Sequence, residues 1–173
     1  MLNDYYSSPS EITPLTMAVL AQQDDSGNIS TCVLESEAEY VVDHSPSKLI
    51  HNACVFFGSS LKGKLEGTRN ICGITHKAPI SIDPFSGMYF IPTMSPKSDK
   101  CSWIAHSYIE KMYKAANQQA KILFKNGKII TLDISFGSML NQVQRTAQFR
   151  YILDERIKFL RKHQTNPDKA PLT

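Results

Sequence analysis

The sequence predicts an α+β fold of mostly antiparallel short β-strands, with a small central helix and a long C-terminal helix. Three observations carry that expectation. In Lys121–Ile134, Asn126-Gly127 separates two strand-like runs, and this dipeptide accepts the positive φ angles of a tight hairpin turn. After Ser135 the apolar period changes to a helical one. Between Phe56 and His106 turn residues recur, at Pro79, Asp83-Pro84 and Ser86-Gly87, leaving room only for short strands.

Taken in order, residues 1–13 are polar, contain Ser and Pro, and are expected to form a loose tail. Thr16–Ala21 and Ile29–Glu35 read as strands around Asp24-Asp25-Ser26-Gly27-Asn28, a hairpin over 16–35. Glu39–Asp43 reads as a third strand. Ser45-Pro46 starts a helix, Ser as cap and Pro at the first helical position, and Leu49, Ile50, Ala53, Cys54 and Phe57 follow at helical spacing up to Gly58. Ser59–Thr68 suits a second short helix or an ordered loop equally.

Ile71–Thr75, Ile80–Ile82 and Met88–Ile91 read as short strands, and Ser95–Lys100 as a polar, basic loop. The alternation from Trp103 to Met112 predicts one longer strand. The last helix is expected from Ser138 to about Lys162, with Met139, Leu140, Val143, Ala147 and Tyr151 as its apolar stripe. A frayed tail, 163–173, follows, so residues 14–162 form the expected single domain.

The 173 residues suit one domain, and 42% hydrophobic content with a mean hydropathy of -0.25 suits a soluble globular chain. No apolar run approaches the ~20 residues of a membrane span. Met1–Tyr5 lacks a basic segment followed by an apolar one, so no signal peptide is expected and the compartment is the cytoplasm. Cys32, Cys54, Cys72 and Cys101 form no C-x-x-C pair and read as reduced small hydrophobes. His44, His51, His76, His106 and His163 show no finger spacing, so neither metal nor other cofactor is expected.

Charge is segregated. Residues 1–47 hold eight acids and no Lys or Arg, a balance of −8; residues 48–173 hold 19 bases and 8 acids, a balance of +11. Such asymmetry points either to a polyanion-binding surface beside an acidic, non-contacting or regulatory face, or to two solvated ends that pair loosely.

Catalytic patterns are weak. Gly63-x-x-x-Gly67-Thr68 lacks the Gly-Lys-Ser/Thr ending of a phosphate loop. A Cys101/His106 or Cys54/His51 pair could be drawn as nucleophile and base, but Cys and His five residues apart on a strand face opposite ways. His76-Lys77, between Ile74 and Pro79, reads as a phosphate or base-edge contact from a rigid turn, or as a loop-ordering histidine beside a solvated lysine. Trp103 reads as a core anchor. Arg145 and Arg156, eleven residues apart, share one side of the last helix at about 16 Å separation. Arg150 falls in the apolar stripe and suits an ion pair or a subunit contact. Arg161 and Lys162 complement the helix dipole.

The ordered set Phe56-Phe57-Gly58-Ser59-Ser60, Gly63, Gly67-Thr68, Ile74, His76-Lys77, Pro79-Ile80, Asp83-Pro84, Pro92-Thr93, Cys101, Trp103-Ile104 and His106 resembles the competence transcription factor family, ComK. The likeness continues through Phe124, Asn126-Gly127, Ser135, Gln142-x-x-Arg145-Thr146-Ala147, Arg150 and Arg156-Ile157, covering about residues 15–158. It implies a bacterial cytoplasmic activator of DNA-uptake genes. Its partners would be double-stranded DNA with paired A/T-rich boxes, read chiefly from the minor groove, a homo-oligomer of dimers or pairs of dimers, and RNA polymerase. A narrow, strongly negative A·T minor groove attracts Arg and Lys.

Two departures from the family pattern are notable. The aromatic-Leu-Tyr-Pro-type stretch of longer family tails, which resembles a docking site for a Clp-protease adaptor, is not found before Ala170-Pro171-Leu172-Thr173. The resemblance therefore does not carry adaptor-driven degradation over to this chain. Lys62-Gly63-Lys64-Leu65-Glu66 also distributes its charge differently.

On charge and position, the candidate DNA-binding residues are Lys62, Lys64, Arg69, His76, Lys77, Lys97, Lys100, Arg145 and Arg156. Two rivals stand beside this reading. One is a protein-interaction paralogue that dimerises with and modulates a full-length activator; the other is a small enzyme using Cys101 or His106.

Overall fold

The computed structural model describes residues 11–164. The expected tails at 1–13 and 163–173 lie outside these residues except for 11–13 and 163–164. Of those, Ile12 is packed in the core and 163–164 continue the last helix. Tyr40 Oη donates to the Glu11 carbonyl at 2.6 Å and Tyr108 Oη to the Pro14 carbonyl at 2.5 Å, so the chain is tied down from residue 11.

A six-stranded antiparallel sheet is built from β1 (Thr16–Gln23), β2 (Ile29–Glu35), β3 (Glu39–Val42), β4 (Ile80–Asp83), β5 (Met88–Pro92) and β6 (Trp103–Ala105). Their order is β3-β2-β1-β6-β5-β4. A second sheet, β7-β8-β9, comprises Ile109–Lys114, Gln119–Phe124 and Ile129–Ser135. Helices α1 (Pro46–Phe56) and α2 (Leu61–Cys72) lie between β3 and β4 in the chain, and α3 (Phe136–Gln164) closes it.

Side chains of the large sheet alternate between two cores, as the pleat requires. Val33, Phe90, Trp103 and Ala105 pack with Leu49, Ile50, Ala53 and Cys54 of α1. Cys32, Leu34, Ile91 and Ile104 pack with Ala120, Ile122, Phe124, Leu132 and Ile134 of the small sheet and with Met139 of α3. The large sheet is thus covered on both faces. Trp103 has no exposed surface, and its indole Nε1 donates to Ser47 Oγ at 3.1 Å.

Local chemistry explains the elements that the sequence predicts. Asp24 Oδ1 accepts from the Ser26 and Asn28 amides at 2.9 Å, closing the β1–β2 turn. Ser45 caps α1 by accepting from the Lys48 amide. Gly127, at φ 90, closes the β8–β9 hairpin. An ion pair between Lys128 and Glu39 joins that hairpin to β3, so the acidic first segment and the basic remainder do meet there.

Three expectations are corrected. Ile71–Thr75 is not a strand: α2 continues to Cys72 and ends on Gly73 at φ 72. Ser60 caps its start, and buried Thr68 anchors it. Trp103–Met112 is not one strand. A single 3₁₀ turn, His106–Tyr108, carries the chain from the large sheet to the small one, held where Ser107 Oγ donates to the Gly87 carbonyl at 2.8 Å.

On α3 the buried face is Met139, Gln142, Thr146 and Phe149, while Leu140, Ala147 and Tyr151 are exposed. Polar Gln142 and Thr146 are buried because their side chains are hydrogen-bonded, which disguises that face in a hydropathy pattern.

Of the two roles expected of Arg150, the ion pair does not form among the described residues. Its guanidinium donates to Ser107 Oγ at 2.7 Å, approaches His106 Nδ1 at 3.4 Å and lies 4.8 Å from the Tyr89 ring centroid. Burial first, then the charges of Arg150 and Lys125, hold the His106 imidazole below its ordinary 6.5. A depressed histidine pKa means that the unfolded chain binds more protons, so stability rises with pH. The contribution is present above pH 6.5 and is lost as the pH falls from there through the folded-state pKa. The urea midpoint should fall in that window for the wild type and fall less for His106→Gln; equal slopes would remove His106 from the account.

Candidate nucleic-acid interface

The cationic site is assembled from three segments: α2, the 73–79 loop that follows it, and the loop at 95–97. Together they line an open cleft of about 440 Å³ containing Leu65, Arg69, His76, Lys77, Pro96 and Lys97. A second groove, lined by Lys62, Leu65, Glu66, Arg69, Pro96 and Lys97, continues it along α2. The helical period explains the arrangement, since residues 62, 65, 66 and 69 recur on one side of a helix. Among the described residues no ion pair neutralises Lys62, Arg69, Lys77 or Lys97.

The loop that presents His76 and Lys77 is anchored at each end by a buried side chain. Ile74 and Ala78 are buried, while Thr75, His76 and Lys77 are exposed between them. Three carbonyls of this loop are held by helix side chains. Arg145 Nη2 donates to His76 O at 2.9 Å, Gln142 Nε2 to Lys77 O at 2.9 Å, and Thr68 Oγ1 to Pro79 O at 2.7 Å. Gln142 also donates to Pro92 O at 3.1 Å and accepts from Arg145 Nη1 at 2.8 Å. Lys77 has φ 48, in the left-handed region that L residues seldom occupy and that persists where surroundings over-determine it.

Of the nine candidates, Lys62, Arg69, His76, Lys77 and Lys97 come together along this cleft and its groove. Arg145 stands beside them, with its guanidinium engaged by His76 and Gln142. Lys64 is half-buried and lies toward the Cys54 thiol of α1, where its charge opposes part of the upward push that burial gives that thiol. Lys100 lines a different hollow with Gln23, Thr131 and Asp133. Arg156 lies beside Tyr151, Ile152, Phe159 and Leu160 near the end of α3.

Sequence reasoning missed Pro96, Gln142 and buried Thr68. A proline in a loop and two uncharged polar residues carry no charge signal, and only the hydrogen bonds of the last two reveal what they hold.

The two thiols drawn beside a histidine in the sequence, Cys101 and Cys54, are both buried. Cys101 is fully buried, its Sγ reaches the Met94 and Ser102 carbonyls, and burial pushes its pKa up. Burial likewise pushes Cys54 up to about 11, while His51 Nδ1 accepts from the Leu61 amide at 3.3 Å. The described residues contain no group of three or more His, Cys, Asp or Glu that could hold a metal ion. No helix among them is long and apolar enough to cross a membrane.

The cleft is thus cationic, with its 73–79 loop hydrogen-bonded to α2 and α3, a chemistry suited to the phosphates of a polyanion. The family model described as ComK protein matches residues 8–158. A protein of Bacillus subtilis (strain 168) described as competence transcription factor is 35% identical over 147 residues, covering 85% of this chain and 76% of the relative. No solved structure matches. A family match that spans the β-sheets, the cleft and most of α3, with a relative this similar over most of both lengths, establishes that the chain belongs to the ComK family.

Proposed function

We propose that this protein is a transcription factor for competence genes that binds double-stranded DNA through the α2 cleft. The observation that carries the reading is the meeting of Lys62, Arg69, His76, Lys77 and Lys97 on one face without a neutralising acid bonded to any of the four formal cations. The relative's printed name supports the biological role. Phosphate contacts from this face supply most of the affinity and make it salt-dependent, and A/T-rich boxes are preferred because a narrow minor groove concentrates negative potential.

The working unit is a homo-oligomer acting in the cytoplasm, with residues 14–162 as the DNA-binding unit and RNA polymerase as a further contact. Exposed Tyr151, Phe159 and Leu160 on the far half of α3 favour self-association over solvent. They also support the second reading, a paralogue that modulates a full-length activator by mixed dimerisation.

A mobility-shift titration with A/T-box and G/C duplexes of about two to three helical turns, over about 50 to 200 mM salt, tests the reading. Tighter binding to the A/T duplex, falling with salt, is the expected result. Equal affinity for the two duplexes, or no salt dependence, sinks it. No shift by this chain alone, with a mixed dimer on co-purification, favours the paralogue.

A further inference from the structure

Arg145 bears a charge and stands next to the cleft, so direct contact with phosphate is the simple expectation for it. Its geometry suggests otherwise. Both terminal nitrogens are already engaged, Nη1 with Gln142 Oε1 at 2.8 Å and Nη2 with His76 O at 2.9 Å. Gln142, 3% exposed, spends its amide on Lys77 O and Pro92 O, which ties the loop to the end of β5. Thr68, 1% exposed, takes Pro79 O from the other side. Side chains of two helices thus grip the carbonyls of His76, Lys77 and Pro79. The exposed residues Thr75–Lys77 are left facing solvent, with Lys77 in a backbone conformation that it would seldom adopt unaided.

We propose that Arg145 and Gln142, seconded by Thr68, are positioning residues that preform the His76–Lys77 knuckle, and that Arg145 acts on DNA through this loop rather than by touching phosphate. This rests on the DNA-binding reading above. The physical gain is entropic: a loop already fixed in its bound shape loses little freedom on association. A guanidinium is needed because its planar fork reaches two acceptors at fixed angles; a lysine ammonium in its place keeps the charge but not the fork.

Two measurements on the full chain, in wild type, Arg145→Lys, Arg145→Ala and Gln142→Ala, test it. Amide hydrogen exchange in the DNA-free protein should rise across 74–79 in all three variants, with β8 and β9 exchanging as in the wild type. Affinity for the A/T duplex should fall about tenfold in each, roughly the size of one charge-assisted hydrogen bond, and a variant combining Arg145→Ala with Gln142→Ala should lose little more than either single one.

A phosphate contact predicts the reverse pattern: Arg145→Lys near wild type, unchanged loop exchange, and a salt slope shallower by about 0.9 in Arg145→Ala alone. That pattern overturns the proposal. If removal of buried Gln142 loosens the whole chain, Arg145→Lys decides by itself, because that side chain lies at the surface end of the clamp. The exchange arm stands apart from DNA: faster loop exchange with no duplex bound by the wild type would keep the clamp and remove the DNA reading.

Discussion

Arg69→Glu combined with Lys97→Glu should abolish the shift of an A/T duplex at about 0.15 M salt while leaving the thermal unfolding temperature nearly unchanged. Both side chains are exposed and line the cleft and the groove that continues it. Each reversal removes an attraction to phosphate and substitutes a repulsion. At about 2 kcal/mol apiece the pair costs about 4 kcal/mol, or roughly a thousandfold in affinity. The comparison that isolates geometry from net charge is Lys111→Glu with Lys114→Glu, the same charge change placed on exposed positions of β7 in the small sheet. That variant should bind with a modest deficit. Equal losses in the two double variants would mean that overall charge, and not the cleft, governs binding.

Trp103→Ala should be the most damaging single core substitution. The side chain has no exposed surface and sits among Val19, Val33, Leu49, Ile50 and Phe90, between the large sheet and α1. Truncating a buried Trp to Ala costs about 3–5 kcal/mol through lost burial and the cavity left behind. Against a typical domain stability of about 5–15 kcal/mol, that leaves little margin. Thermal unfolding should move down by roughly 6–20 °C. Trp103→Phe should cost less, retaining most of the ring volume but leaving Ser47 Oγ without its indole donor. A shift of only a degree or two for the Ala variant would show that the site collapses and that Trp103 is not the anchor of this core.

The likeness to the family was legible before any coordinates, because an ordered set of residues over most of the chain is specific even when no single motif is. Within the interface, Lys62, Arg69, His76, Lys77 and Lys97 were legible as charges near turns. Their convergence was not, since residues 62, 77 and 97 meet only when α2 and two loops pack together. Lys64 shows the limit of proximity in sequence. Two residues from Lys62, it lies on another side of the helix, toward α1. Arg145 shows a second limit, for its charge, next to the cationic cleft, is occupied by one backbone carbonyl and one side-chain amide oxygen.

What the sequence by itself determined were the features set by local chemistry. The Asn126-Gly127 turn, the Ser45-Pro46 helix start, the Asp24 turn and the helical period after Ser135 each depend on residues a few positions apart. Tertiary structure decided the rest. α2 forms despite Gly63 and Gly67, which weaken a helix by about 1 kcal/mol each, because Thr68 is buried against the 79–80 strand entry and Gly73 ends the helix cleanly. The 103–112 alternation breaks into two strands because the large sheet is covered on both faces and the chain must leave it for the small one. Gln142 and Thr146 are buried, and Leu140 and Tyr151 are exposed, because hydrogen bonds available only in the folded chain offset the cost of burying polar groups. Hydropathy along a sequence measures transfer from water to an apolar phase and is blind to such partners, distant in the chain for Gln142 and one helical turn back for Thr146.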